Sequence, residues 1–368
     1  MKRKLINMQI VPAIENLFTR AETVTTMKQY YSLFTLFATV KGAVAANEKK
    51  LLARCMDYLD KYPNDIEHPG YSFELYEMGG IARAYLFYKG EYDDIAEQIR
   101  DYAEKTYNAP RTDDGIICYK KPVPWKWIWV DAITAVAPFM LFAGLGLGEQ
   151  RYIDFAAEQT ILIFDALLDK SCGLVHQVRG RYEEDEYRCT EDHWSRGNGW
   201  MMVAFAELIE YLPRTSAYYN DVVSRYESFC ERLIEYQSMR GLWRQEITVE
   251  GAWEESSGTG LLAYGIGVGI RLGILKDEKY KDAFEKALSG LANHCISENY
   301  NTYNSCESNR SPGEGDQCGT ICSYICIPKT FRNEPHSFGC IIVALAEALK
   351  HGMTEIEKYN QLMHTTDE

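Results

Sequence analysis

The stretch TEDHWSRGNGW (190–200) sets a histidine, an arginine, two carboxylates and two tryptophans around a Gly-Asn-Gly, just before the apolar run MMVAFAELIEYL. Indoles stack on the apolar C–H faces of pyranose rings, carboxylates and imidazoles move protons, and a guanidinium fork matches a carboxylate. His193, Trp194, Arg196 and Trp200 therefore suit an acidic sugar. A second such group, WKWIWVDA (125–132), puts Trp129 two residues before Asp131 at the head of another apolar run. Glu255 opens ESSGTGLLAYGI, His336 opens HSFGCIIVALAE, and His176 stands in the connection GLVHQ. Each has a plainer structural reading. Acids and hydroxyls at helix starts are ordinary caps, a tryptophan there packs a rim, and a lone histidine is satisfied in the core. Their recurrence at helix starts, with tryptophans 125, 127, 129, 194 and 200 close by, carries the functional reading.

The elements that must position these residues are helices in pairs. Helical patterns run over 26–42 and 48–61, 73–89 and 92–107, 131–145 and 149–169, 197–212 and 217–238, and 257–274 and 278–296. A last helix at 336–350 lacks a partner, which the segment around 4–20 supplies by packing beside it. The result is six helical hairpins closed into a ring, an all-α (α/α)6 barrel. An open solenoid competes, but it would show a clearer repeat consensus and capping repeats. Short extended pieces are expected at 115–119, 173–179 and 242–248. No linker interrupts the pattern, so residues 1–368 are expected to form a single domain. The inner helices of such a barrel run parallel, and their N-termini open at one rim. Asp131, the 193–200 group, Glu255 and His336 all fall there, as do Glu74 and Glu77 at the start of the second inner helix.

The net charge of −14 argues against a nucleic-acid or anionic-membrane partner, so an anionic substrate needs a local positive site. No apolar run approaches the roughly 20 residues of a membrane span. Gln9, Pro12 and Glu15 break any signal-like stretch near the start, and a cytoplasmic protein is expected. The eleven cysteines are odd in number and scattered, which fits reduced thiols. Cys306, Cys318, Cys322 and Cys326 lack a C-x2-C knuckle, so no metal is expected, and 300–333 reads as a long rim loop.

In this order, WVDA (129–132), GLVHQ (173–177), HWSRGNGW (193–200), ESSGTGLLAYGI (255–266) and EPHSFGCIIVALAE (334–347) resemble glycoside hydrolase family 105, the unsaturated rhamnogalacturonyl hydrolases. The unsaturated glucuronyl hydrolases of family 88 are related, and the resemblance spans about 70–350. It implies the (α/α)6 barrel, no metal or organic cofactor, and release of a 4,5-unsaturated uronic acid from oligosaccharides cut by a polysaccharide lyase. It makes Asp131 the acid and base, with Glu74 (or Glu77) as second carboxylate. His176 is placed near the sugar or the water, and Trp129, Trp194, Arg196 and Trp200 around the unsaturated ring. His193, Glu255 and His336 complete the binding rim. Asp131 must be protonated when substrate binds. Burial among tryptophans raises its pKa and a helix N-terminus lowers it, so net elevation is a requirement of this reading. Ala132 stands where many members carry a second Asp, and HSFG replaces a usual H-G-x-G, which bears on subsites. A family 88-like hydrolase on glycosaminoglycan fragments, an epimerase using rim histidines, and a catalytically silent sugar-binding protein are the alternatives. A monomer or homodimer is expected.

Overall fold

The computed structural model describes residues 5–61, 79–118, 127–182, 184–307, 312–330 and 332–359, and these contain thirteen helices. They are α1 (Ile10–Val24), α2 (Tyr30–Ala46), α3 (Lys49–Leu59), α4 (Gly79–Tyr88), α5 (Ala96–Tyr107), α6 (Asp131–Leu147) and α7 (Gln150–Leu167). After them come α8 (Ser195–Tyr211), α9 (Tyr219–Glu235), α10 (Ser256–Arg271), α11 (Glu278–His294), the one-turn α12 (Ile321–Ile325) and α13 (His336–Lys350).

Two helix types are distinguished by their sequences. Helix α2 is buried without interruption from Ser32 to Gly42 and Ala43, and α6 from Ala132 to Gly144, so each is enclosed on every side. Helices α3 and α9 bury one stripe each: Leu51, Cys55 and Leu59 in the first, Val222, Tyr226, Phe229, Cys230 and Leu233 in the second. The enclosed helices form the inner ring. Helix α2 packs on α4, α4 on α6, α6 on α8, α8 on α10, α10 on α13, and α13 on α2. The one-faced helices α1, α3, α5, α7, α9 and α11 surround them. This is the six-hairpin ring. As expected for 4–20, α1 lies against α13 and α2. A pairing not foreseen accompanies it: strand Leu5–Gln9 runs antiparallel to Glu355–Tyr359.

Close approach at the rim explains the glycine spacing. A Cβ at Gly258 of α10 would stand 2.4 Å from the Ser195 hydroxyl of α8, and one at Gly260 2.2 Å from the Cys340 carbonyl oxygen of α13. Small residues there let three inner helices meet. No helix among the described residues is long and apolar enough to cross a membrane.

Candidate active site

The rim is held together by short antiparallel pairings between the connections that feed the inner helices. Ile128–Trp129 pairs with Val178–Arg179, and Val130 N–H donates to the Gln177 carbonyl at 2.9 Å. The sequence just before α6 is thereby laid beside the segment that begins at His176. Leu168–Asp169 pairs with Leu174–Val175, Trp194 bridges Glu246, and Trp243–Arg244 pairs with Glu254–Glu255. Ser256 N–H reaches the Asn304 carbonyl at 2.7 Å, which carries the lacing on to Ser305–Cys306. Two of the three extended pieces expected from sequence, at 173–179 and 242–248, thus exist in shorter form, while 115–119 makes, among the described residues, only an isolated bridge from Ile117 to Arg111.

Asp131 is the first residue of α6, half-buried, with its Oδ2 shielded from solvent. The indoles of Trp127 and Trp129 lie 5.8 Å apart behind it in sequence. The rings of His176 and His193 lie against each other with centroids 5.0 Å apart, tilted by 35°. Burial and the neighbouring His193 hold the His176 pKa below the usual imidazole value, so His176 is neutral and able to accept a proton. His193 behaves oppositely. Burial alone would lower it, but hydrogen bonds to Cys172 and Glu246 raise it to about 10. Its Nε2 lies 3.1 Å from Asp169 Oδ2 and its Nδ1 3.3 Å from the Thr248 hydroxyl. Buried Asp192, behind His176, is pushed up to about 6 by desolvation and then by Glu246. Its main-chain carbonyl oxygen lies 3.2 Å from His176 Nδ1.

Other residues expected at the site are brought to the rim but turned inward. Arg196 is 1% exposed, stacked on Trp194 at 4.5 Å, and donates to the Ser257 hydroxyl at 3.0 Å and to the Cys306 and Glu307 carbonyls at 2.7 and 2.8 Å. Burial opposes its charge, while Cys306, Glu334 and Glu255 nearby keep its pKa above the ordinary guanidinium value. Here Arg196 clamps the 306–307 segment, and it meets a sugar carboxylate only if that segment shifts. Trp194, also 1% exposed, spends its indole N–H on Cys306 Sγ at 3.1 Å. Glu255 is fully buried as the N-cap of α10. It accepts from the main-chain N–H groups of Ser257 (2.9 Å), Gly258 (2.6 Å) and Cys306 (3.2 Å), which makes it a joint rather than an open sugar contact. Trp200 lies more than a turn inside α8 and packs edge-on against Phe34 at 5.0 Å. It belongs to the core, because the helix carries it below the rim. Glu74 and Glu77 lie outside the described residues.

His336 connects residues that sequence reasoning did not single out. Its Nδ1 stands 2.7 Å from Glu334 and its Nε2 2.5 Å from the Tyr30 hydroxyl at the start of α2. Burial and Arg196 lower its pKa. Glu334 is also kept low: burial alone would raise it, but His336 and Arg196 outweigh that. An ionised Glu334 can only accept, so Nδ1–H donates to it and Nε2 accepts from Tyr30. The signal for Glu334 was its place two residues before His336; Tyr30, in an unremarkable QYYS, offered none. Asn198 was hidden in the Gly-Asn-Gly. Its amide group exchanges hydrogen bonds with Val175 N–H (2.9 Å) and Val175 carbonyl (3.0 Å), fixing the hairpin next to His176. The thiols 306, 318, 322 and 326 do not converge: Cys306 is buried under Trp194, Cys318 faces Arg181 Nε at 2.9 Å, and Cys322 and Cys326 are exposed.

Comparison with known proteins agrees with this fold. The family model of Glycosyl Hydrolase Family 88 matches residues 16–351. The unsaturated 3S-rhamnoglycuronyl hydrolase of Alteromonas sp. is 23% identical over 219 residues, covering 59% of this chain and 53% of that protein. The chain thus spans about half the length of the curated relatives it matches. A family 105 glycoside hydrolase structure from C. acetobutylicum superposes with a TM-score of 0.79 at 23% identity, covering 94% of this chain and 100% of that one. The unsaturated glucuronyl hydrolase of Bacillus sp. GL1 gives 0.66 at 14% identity, over 95% and 98%. At these identities the two structures establish the fold.

Proposed function

Since the chain belongs to glycosyl hydrolase family 88, we propose that it removes a 4,5-unsaturated uronic acid from the non-reducing end of lyase-cut oligosaccharides, with rhamnose-linked substrates preferred. The observation that carries this reading is the pairing of Ile128–Trp129 with Val178–Arg179, which sets a half-buried Asp131 and a neutral His176 on one rim beside the Trp127–Trp129 indoles.

The chemistry follows from the substrate. Its C4=C5–O unit is an enol ether, and a proton delivered to C4 leaves an oxocarbenium ion at C5. Asp131 is the donor in this reading. The carboxylate left behind takes a proton from water as the water oxygen bonds to C5, which restores the acid. The C5 hemiketal then opens and the aglycone leaves with its oxygen, so no group needs to attack C1. The paired carboxylates that flank C1 in ordinary glycosidases are therefore not required. His176 holds the incoming water or a sugar hydroxyl. Trp129 flanks the ring, while Trp194 and His193, both buried, support the rim from within. Arg196 lies behind Cys306–Glu307 and adds its field from there. The eleven cysteines are all free thiols, and the reading places the protein in the cytoplasm.

The test follows loss of ultraviolet absorbance of the C4=C5 bond with three unsaturated substrates: disaccharides from rhamnogalacturonan and from chondroitin, and the 3S-rhamnoglycuronyl type of the Alteromonas relative. Fastest turnover of a rhamnose-linked substrate, with one deuterium appearing at C4 in heavy water, supports the proposal. Preference for the chondroitin product favours a family 88-like glucuronyl specificity. Binding without loss of absorbance on all three would leave a sugar-binding protein.

A further inference from the structure

The tight turn that follows α7 carries Asp169 and Cys172, and the residue two before α8 is His193. One ligand atom from each, a carboxylate oxygen, Cys172 Sγ and an imidazole nitrogen, lies within 4.8 Å of the other two. From these juxtaposed donors we propose that Asp169, Cys172 and His193 bind one zinc-type divalent cation that staples the turn after α7 to the start of α8.

The donor chemistry selects the ion. A thiolate and an imidazole suit zinc or cobalt and disfavour magnesium and calcium, which take oxygen ligands. Around a tetrahedral zinc, bonds of about 2.0–2.3 Å hold the ligand atoms roughly 3.3–3.7 Å apart. The His193 Nε2 to Asp169 Oδ2 separation of 3.1 Å already lies close to that spacing, and the thiol closes by small side-chain rotation. Three protein ligands leave the fourth position to water. Charge also balances: a thiolate and a carboxylate match a dication, which displaces the proton that His193 otherwise carries.

The surroundings resemble a second layer around a metal. His193 Nδ1, on the ring edge away from Asp169, stands 3.3 Å from the Thr248 hydroxyl and 3.5 Å from Glu246 Oε1. A carboxylate behind a ligating imidazole orients the ring and raises its basicity. Glu246 is itself fixed, because it accepts the His193 main-chain N–H through both oxygens at 2.8 and 2.9 Å. Asp169 is held as well, its Oδ1 accepting Ser171 N–H at 2.8 Å while Oδ2 faces the imidazole. The cluster stands beside His176, whose ring lies tilted against His193, so the ion braces a wall of the proposed sugar site without touching the reacting atoms.

Cobalt(II) titration of the full chain under reducing conditions tests the assignment. The expected result is a near-ultraviolet thiolate-to-cobalt band that saturates at one equivalent and is displaced by zinc. Cys172→Ser loses the band, and His193→Gln, which keeps the thiol, weakens binding at least tenfold; circular dichroism checks that both are folded. The band persists in the triple variant Cys318→Ser/Cys322→Ser/Cys326→Ser. Absence of the band, its survival in Cys172→Ser, or its loss in the triple variant overturns the proposal. Because the readout is metal binding, it stands or falls independently of the hydrolase reading.

Discussion

The rim and the far half of the ring both bury charge, but they do so in different ways. At the rim the charged side chains sit at helix starts and in connections, and many of their partners are main-chain atoms: Arg196 on the Cys306 and Glu307 carbonyls, Glu246 on His193 N–H, and Glu255 on three N–H groups. In the far half, Lys41 of α2 reaches across the ring to Glu207 of α8, with both carboxylate oxygens at 2.7 Å and the Tyr264 hydroxyl of α10 at 2.8 Å. The rings of Phe37, Tyr85, Tyr211 and Tyr264 surround its ammonium at 5.3–5.5 Å. Burial opposes its charge, and Glu207 more than restores it, so its pKa lies well above the ordinary value. In order around the ring α2 and α8 are opposite, which makes this ion pair a strut across the diameter. Charge fixed through helices sets the barrel; charge fixed through loops shapes the mouth and can be reshaped with them.

Substitutions on both sides would break or sharpen that contrast. Lys41→Met leaves Glu207 buried without its cation, and denaturant unfolding should show a loss of about 3–5 kcal/mol. Lys41→Met/Glu207→Leu should recover most of it, and a loss below about 1 kcal/mol in the single variant would mean the strut is not structural. Glu255→Ala strips the acceptor from three N–H groups at the rim and should cost about 2 kcal/mol. Turnover should fall by a larger factor than stability, since α10 and the 306–307 segment lose their shared joint; equal turnover in the folded variant would detach that joint from function.

The smallest effect concerns acid. Desolvation would raise the Glu210 pKa, but Lys41, Lys350 and Arg271 bring it down to about 2. A folded pKa below the unfolded value of about 4.3 stabilises the protein above that pH, and the stabilisation fades as pH falls toward 2. Melting temperatures of Glu210→Gln should therefore decline less steeply than wild type between these limits. Parallel slopes would remove Glu210 from the acid response.

The ring was legible because its inner helices read as nearly unbroken apolar runs and its outer helices as stripes, and because a helix without a partner at 336–350 demanded one from the N-terminal segment. The rim was legible wherever polar residues interrupt an apolar helix start, as at Asp131 and His193. Two things hid the rest. Periodicity does not show which way a motif residue turns once the helix begins, so Trp200 read as part of the mouth although α8 carries it into the core against Phe34. Long-range polar partners leave no local mark either: Tyr30 and His336 are 306 residues apart. Lys41 and Glu207 did leave a trace, a lone charge inside TLFATVKGAVAA and one of two acids inside MMVAFAELIEYL, but each reads as a solvated face until its partner across the ring is known.

The most direct test of the central claim is the initial rate of C4=C5 absorbance loss for Asp131→Asn against wild type, on the preferred rhamnose-linked disaccharide. The account predicts a fall of at least about a hundredfold with an unchanged melting temperature, since the substitution removes the proton donor and keeps its shape. A rate within about threefold of wild type would contradict it and move the acid to another residue of the rim.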